Sequence, residues 1–315
     1  MTARFGQRFA LGAWFCLSAL AGCGPADAGG ASELRGGTLL TAPSETAVAE
    51  GVACTAASQL VYVLSNRGEI YSFDPPTKVF TKVATLDCPI GAMSPNSMAV
   101  DRQGHAWVNY FSSDDDGDVV DGSIFQVDIA TGRCQAIPIA LPGGWYQVGM
   151  GFSSAVTDPT DILYVAANHA AGACSGVEGS GPGLGVIDLN TGTLSAIGPF
   201  SGALAGQNAE LTGTGDGRLF GFFELSVAEI APIDKATAAT SAPVSIPGVQ
   251  CPSAFAFSFW GGDFYLFTAH PFFHSSVAHF TSADGTLDTN YVADAGFTIV
   301  GAGASTCAPT IPPPR

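Results

Sequence analysis

The chain has 315 residues, with 27 acidic against 11 basic side chains, a formal net charge of −16 and an isoelectric point near 4.3. Phosphate binding needs clustered Lys and Arg, so nucleic acid is excluded as a partner. Hydrophobic residues make up 47% and charged residues 12%, enough to bury a sizeable core and to exclude chain-wide disorder. Forty glycines and twenty prolines, with few apolar runs at helical spacing, point to an all-β fold with many turns.

The first segment addresses the compartment. Arg4 and Arg8 precede an apolar run over residues 9–20, too short to span a bilayer comfortably. LAGC follows at 20–23 and resembles the lipobox of bacterial lipoproteins, in which the cysteine thiol is lipidated and becomes the mature N-terminus. Residues 1–22 then read as a signal peptide and Cys23 as the lipidation site, tying the protein to a membrane. Residue 24 is Gly rather than the Asp associated with inner-membrane retention, so the expected location is the outer membrane. Cleavage removes two arginines and no acid, taking the net charge from −16 to −18. Residues 23–50, rich in Gly, Ala, Ser and Thr, read as a flexible tether.

Residues 51–309 read as one domain, with 310–315 as a tail. The domain is built on a repeat. Five segments centred on Tyr62, Trp107, Tyr164, Phe220 and Tyr265 align as aromatic strands. Small, apolar first strands precede four of them, at 97–101, 149–153, 210–215 and 254–258. Third strands follow, and two of them end in D-x-x-T-G, at 128–132 and 188–192. Asp and Thr there bond nearby amides, and Gly supplies a positive φ for the hairpin to a fourth strand. Four-stranded repeats of this kind make a β-propeller, whose crowded inner strands favour Gly and Ala. Residues 297–301 form a first strand with no aromatic partner after them, while the Tyr62 strand lacks a first strand before it. The C-terminal strand is therefore expected to enter the first blade and close a five-bladed ring. Six blades would require further strands in residues 38–57 or 170–182.

Six cysteines remain after the lipobox: Cys54, Cys88, Cys134, Cys174, Cys251 and Cys307. An even number in an oxidising compartment favours disulfides, and no C-x-x-C pair supports a zinc site. Ring closure brings Cys54 and Cys307 to the same end of one blade, so they are expected to pair. Cys88–Cys134 and Cys174–Cys251 then follow by elimination, although six cysteines allow about fifteen connectivities.

Over residues 54–309 the chain resembles bacterial extracytoplasmic propellers of the NHL and YVTN types. It is most similar to uncharacterised lipoproteins carrying SMAVDRxGxAWV, LTGTGDGRLFGF and FWGGDFYLFT segments, here at 97–108, 211–222 and 259–268. The resemblance implies fold and location, and no activity.

Candidate chemistry lies between the strands. Asp114, Asp116, Asp118 and Asp121 alternate along one loop and offer hard oxygens to calcium, although Val119 and Phe125 depart from the usual calcium-loop pattern. The loops between second and third strands also carry His169, Glu224, His270 and His274, defining one ligand face. Asp101 and Asp216 flank turns, which leaves Glu210 as the inner-strand carboxylate for a glycosidase or lactonase. No nucleophile elbow, Cys–His pair or phosphate loop is present. His105 and His279 lie within strands and read as packing positions. The expected protein is a monomeric binding or scaffold module for a protein or carbohydrate ligand. A metal-dependent hydrolase and a purely structural envelope protein are the alternatives.

Overall fold

The computed structural model describes residues 54–155, 160–169, 181–250 and 252–312. The signal segment, Cys23, the tether, Cys174 and Cys251 lie outside the described residues. Residues from Ala49 onward form one compact unit.

Among the described residues twenty strands form five four-stranded antiparallel sheets. The first blade holds β1 (Val61–Ser65), β2 (Glu69–Asp74) and β3 (Val79–Thr85), with β20 (Ile299–Ala304) as its innermost strand. The second holds β4 (Ser94–Val100), β5 (His105–Ser113), β6 (Val119–Asp128) and β7 (Cys134–Ala136). The third holds β8 (Gln147–Ser154), β9 (Asp161–Asn168), β10 (Leu184–Asp188) and β11 (Thr193–Gly198). The fourth holds β12 (Ala209–Gly213), β13 (Leu219–Phe223), β14 (Glu229–Pro232) and β15 (Val244–Ser245). The fifth holds β16 (Ala254–Trp260), β17 (Asp263–Ala269), β18 (Ser276–Thr281) and β19 (Thr286–Val292). The chain is thus a five-bladed propeller closed by its last strand, with β20 pairing β1 from Val61↔Ala304 to Ser65↔Ile299. Closure gives the first blade its fourth strand and covers the inner edge of β1.

Each recurring aromatic packs against the next blade. Tyr62 reaches Met98 and Val100 of the second blade, Trp107 reaches Val148 and Met150 of the third, and Tyr164 reaches Leu211 and Leu219 of the fourth. Phe220 then joins Phe257 and Phe259 of the fifth, and Tyr265 joins Val61 and Val63 of the first. The core is therefore five inter-blade layers arranged in a ring. This explains the aromatic spacing: a single twisted sheet can bury its faces only against its two neighbours. Residues 256–259 are buried on both faces, as an innermost aromatic strand between two layers should be.

The turn into each fourth strand repeats. The amides of Lys78, Gly132, Gly192 and Ala238 donate to the carbonyls of Asp74, Asp128, Asp188 and Asp234, each at 2.8 Å. All four residues have positive φ, as does Gly285 in the fifth blade. Backbone amides at Thr131 and Asn190 also hold the Asp128 and Asp188 carboxyls below their usual range. Lys78 and Ala238 show that the turn forms without Gly, which is why the first and fourth blades hide it from a D-x-x-T-G search.

Among the described residues two disulfides are formed. Cys54–Cys307 staples the chain ends of the ring, and Cys88–Cys134 ties the segment after β3 to β7.

Candidate functional site at the axial mouth

The five inner strands lie side by side around the axis in the order β20, β4, β8, β12, β16. They begin at one end of the ring, the end where the loops between second and third strands also emerge. There they enclose a cavity of about 340 Å3. Ser94 and Asn96 of β4, Gln147 of β8, Glu210 of β12, Ser253 just before β16 and Val300 of β20 line it, with Asn66 from the end of β1. Phe111 and Phe255 supply its aromatic wall. Inner strands must carry small or polar side chains here because their large neighbours are used between the blades.

Glu210 is the buried acid of this mouth, with 2% of its surface exposed. Its Oε2 accepts the Ser97 hydroxyl at 2.7 Å, and Ser97 Oγ in turn accepts the Met150 amide at 3.1 Å. Burial pushes the carboxyl well above its usual range, with the Ser97 and Met150 donors pulling only part of the way back. A carboxyl near pH 4.3 in the unfolded chain therefore keeps its proton to higher pH in the fold. Between those two values the unfolded state releases a proton that the native state retains, so stability falls as pH rises. Glu210→Gln removes that loss and keeps an acceptor for Ser97. In urea unfolding the variant should match the wild type near pH 4 and exceed it at about pH 7.5. A variant weaker than the wild type at about pH 7.5 would mean that the carboxyl is ionised and held as such.

A chain of amides continues from the mouth. Asn109 Oδ1 accepts the Val148 backbone amide at 3.1 Å and the Asn96 side-chain amide at 3.0 Å. Asn96 Nδ2 also donates to the Val148 carbonyl at 2.8 Å, and Asn96 Oδ1 accepts from Gln147 Nε2 at 3.1 Å. Gln147 also lines a second cavity, of about 310 Å3, with Asp118, Tyr146, Asn168 and His169.

The ligand face foreseen from the sequence is only partly assembled. Asn208 links two of its members: its Nδ2 donates to the His169 carbonyl at 3.0 Å and to Glu224 Oε2 at 3.1 Å. Burial raises the Glu224 carboxyl, while the Asn208 amide and the charge of nearby His169 lower it in part. His274 instead pairs with Asp294 at 3.0 Å on the exposed rim. His270 lies beside Phe272 and Phe273, two exposed rings that sequence periodicity did not single out.

The acidic loop is folded on itself. Asp114 Oδ1 accepts the amides of Asp116 at 3.1 Å and Asp118 at 2.9 Å, while Asp121 is paired within β6 and Asp118 lines the second cavity. Among the described residues no three His, Cys, Asp or Glu side chains stand where they would hold a metal ion. Asp101 is a turn residue, as read: its carboxylate accepts the His105 amide at 2.8 Å and Trp107 Nε1 at 3.0 Å. His279 packs between Tyr265 and Tyr291 and bonds Asp263 at 3.0 Å.

No family model matches the chain, and no curated protein does. Solved structures do. The calcium-binding protein regucalcin from Agrobacterium tumefaciens is similar at 15% identity and a TM-score of 0.41, over 70% of this chain and 67% of that one. A gluconolactonase from Xanthomonas campestris is similar at 13% and 0.41, over 66% and 68%. A family 117 glycoside hydrolase from Zobellia galactanivorans is similar at 12% and 0.44, over 76% and 77%. At these identities the likeness is one of fold, and no activity follows from it.

Proposed function

We propose that this protein is a lipid-anchored envelope module, akin to the extracytoplasmic propeller lipoproteins it resembles, that binds a small polar ligand at the axial mouth. One observation carries the reading. Every blade contributes to a cavity that combines amides, hydroxyls, a buried carboxyl and two phenyl rings, at the small end of the roughly 300–1,000 Å3 typical of ligand sites. The placement of the ends supports it. β20 and β1 run between Val300 and Asn66 at the mouth and Cys307 and Cys54 at the far end. Cys54, the first described residue, therefore stands at the end of the domain opposite the mouth.

Two measurements test the reading. Palmitate labelling should disappear in Cys23→Ala. Thermal melting against monosaccharides, amino acids, short peptides, calcium and zinc should show a rise for one ligand class, roughly 5–10 °C at a hundredfold excess over Kd. Glu210→Ala should abolish that rise. No shift with any class would leave a purely structural envelope protein as the better reading.

A hydrolase at the same mouth is favoured by one feature, the protonated acid that buried Glu210 would supply. A glycosidase needs a second carboxylate within about 5–10 Å of it. Among the described residues lining the mouth Glu210 is the sole carboxylate, so binding is the better supported of the two.

A further inference from the structure

We propose that the axial mouth and the second cavity act as one cleft for a neutral saccharide of more than one ring, laid across Gln147. The inference rests on the binding reading above and names its ligand class.

Gln147 lines both cavities, so the two adjoin at this residue. Its amide oxygen is buried and has no hydrogen-bond partner among the described residues. That assignment does not depend on which way the amide is drawn, because the network starts from a backbone donor. The Val148 N–H can only donate, so the Asn109 atom that receives it is oxygen. The Asn96 atom facing that oxygen must be nitrogen, which leaves Asn96 Oδ1 toward Gln147 and requires Gln147 Nε2 to face it. The remaining Gln147 atom is an acceptor. Reversing it would set oxygen against oxygen at Asn96.

A buried acceptor without a donor is destabilising, and a ligand hydroxyl placed there would supply the missing donor. Its neighbour Asn168 offers no substitute, since its side-chain oxygen and nitrogen are already bonded to the Ala209 amide and carbonyl.

The linings define the rest of the ligand. No Lys or Arg lines either cavity among the described residues, and the protein is strongly acidic, so phosphorylated, sulfated and uronic ligands are disfavoured. Aromatic side chains, which suit the C–H side of sugar rings, line both cavities: Phe111 and Phe255 the mouth and Tyr146 the outer one. A ring at each cavity with a hydroxyl over Gln147 satisfies all three features together.

The test is a calorimetric length series on the intact domain. Neutral oligosaccharides of glucose, mannose and xylose, one to six rings long, are compared with oligogalacturonate and chitosan oligomers. The expected result is a neutral series in which three or more rings bind roughly tenfold or more tighter than one. Gln147→Met should cut the long-chain affinity by about tenfold. Tyr146→Ala should weaken long chains while leaving the single ring unchanged, and it decides the matter should Gln147→Met fail to fold. Equal affinity for one ring and many would overturn the shared cleft and leave the mouth standing. Tighter binding of the charged oligomers would overturn the ligand class. Absence of all saccharide binding would overturn this proposal, and the thermal panel above then decides separately whether the mouth binds anything.

Discussion

Loss of the Cys54–Cys307 bridge should lower the melting temperature by roughly 10–15 °C, the largest effect expected of any single bond in the fold. The two cysteines are 253 residues apart in sequence, and their Cα atoms are 5.6 Å apart in space. In the chain-entropy model a cross-link of that span removes about 5 kcal/mol of freedom from the unfolded chain, and native disulfides typically contribute about 2–5 kcal/mol. The topology raises the stakes. β20 is held in the first blade through β1, and Ser305 Oγ bonds the Ser58 carbonyl beside the bridge. Without the bridge the ring can open at this seam, exposing Val61, Val63 and Ala302 together. The measurement is thermal melting of the Cys54→Ser, Cys307→Ser double variant beside the wild type with and without reductant. A change under about 3 °C would mean that strand pairing alone closes the ring. Cys88–Cys134 spans 46 residues, so its removal should cost less, by about 1 kcal/mol in the same model.

Gly149→Ala should destabilise the domain by roughly 3 kcal/mol, the upper part of the range for overpacking, although it adds one methyl group to a non-turn position. A Cβ on Gly149 would stand 1.9 Å from the carbonyl oxygen of Ala209 and 2.9 Å from the Glu210 Cα. Both are backbone atoms of the adjacent inner strand, so no side chain can swing aside. The neighbouring β12 would have to move outward, and Glu210 with it. The variant is therefore expected to lower the urea midpoint and also to weaken whatever binds the mouth. Gly285→Ala is the control for mere loss of glycine: its Cβ would meet nothing within 4 Å, so only the cost of its positive φ remains. If Gly149→Ala and Gly285→Ala cost the same, backbone crowding at the axis is not what limits these positions.

These two results bear on how the architecture can be read from residues. The aromatic positions Tyr62, Trp107, Tyr164, Phe220 and Tyr265 and the small residues of the inner strands repeat because five similar interfaces must be filled. Local pattern and tertiary packing coincide there, so blade number, closing strand and the Cys54–Cys307 pairing were all legible. Glu210 was legible as an inner-strand acid for the same reason, since a carboxylate is conspicuous among Gly, Ala and Met.

The rest of the site has no repeat behind it. Asn96, Asn109 and Gln147 are ordinary polar residues spaced along two blades, and no periodicity marks them. They become a connected network only when β4 and β8 lie side by side at the axis. The acidic loop is the converse case. Alternating aspartates resemble a metal loop in one dimension, but Asp114 spends its acceptor on the amides of its own turn. Likewise a shared loop face gathered His169 and Glu224 through Asn208 but left His270 and His274 on the rim. The sequence alone determined the ring, because hydrophobic periodicity is a local property that every blade must obey. Only the tertiary structure decided the site, because the side chains that meet at the mouth come from different blades, and it is the convergence of those blades on one axis that sets their distances.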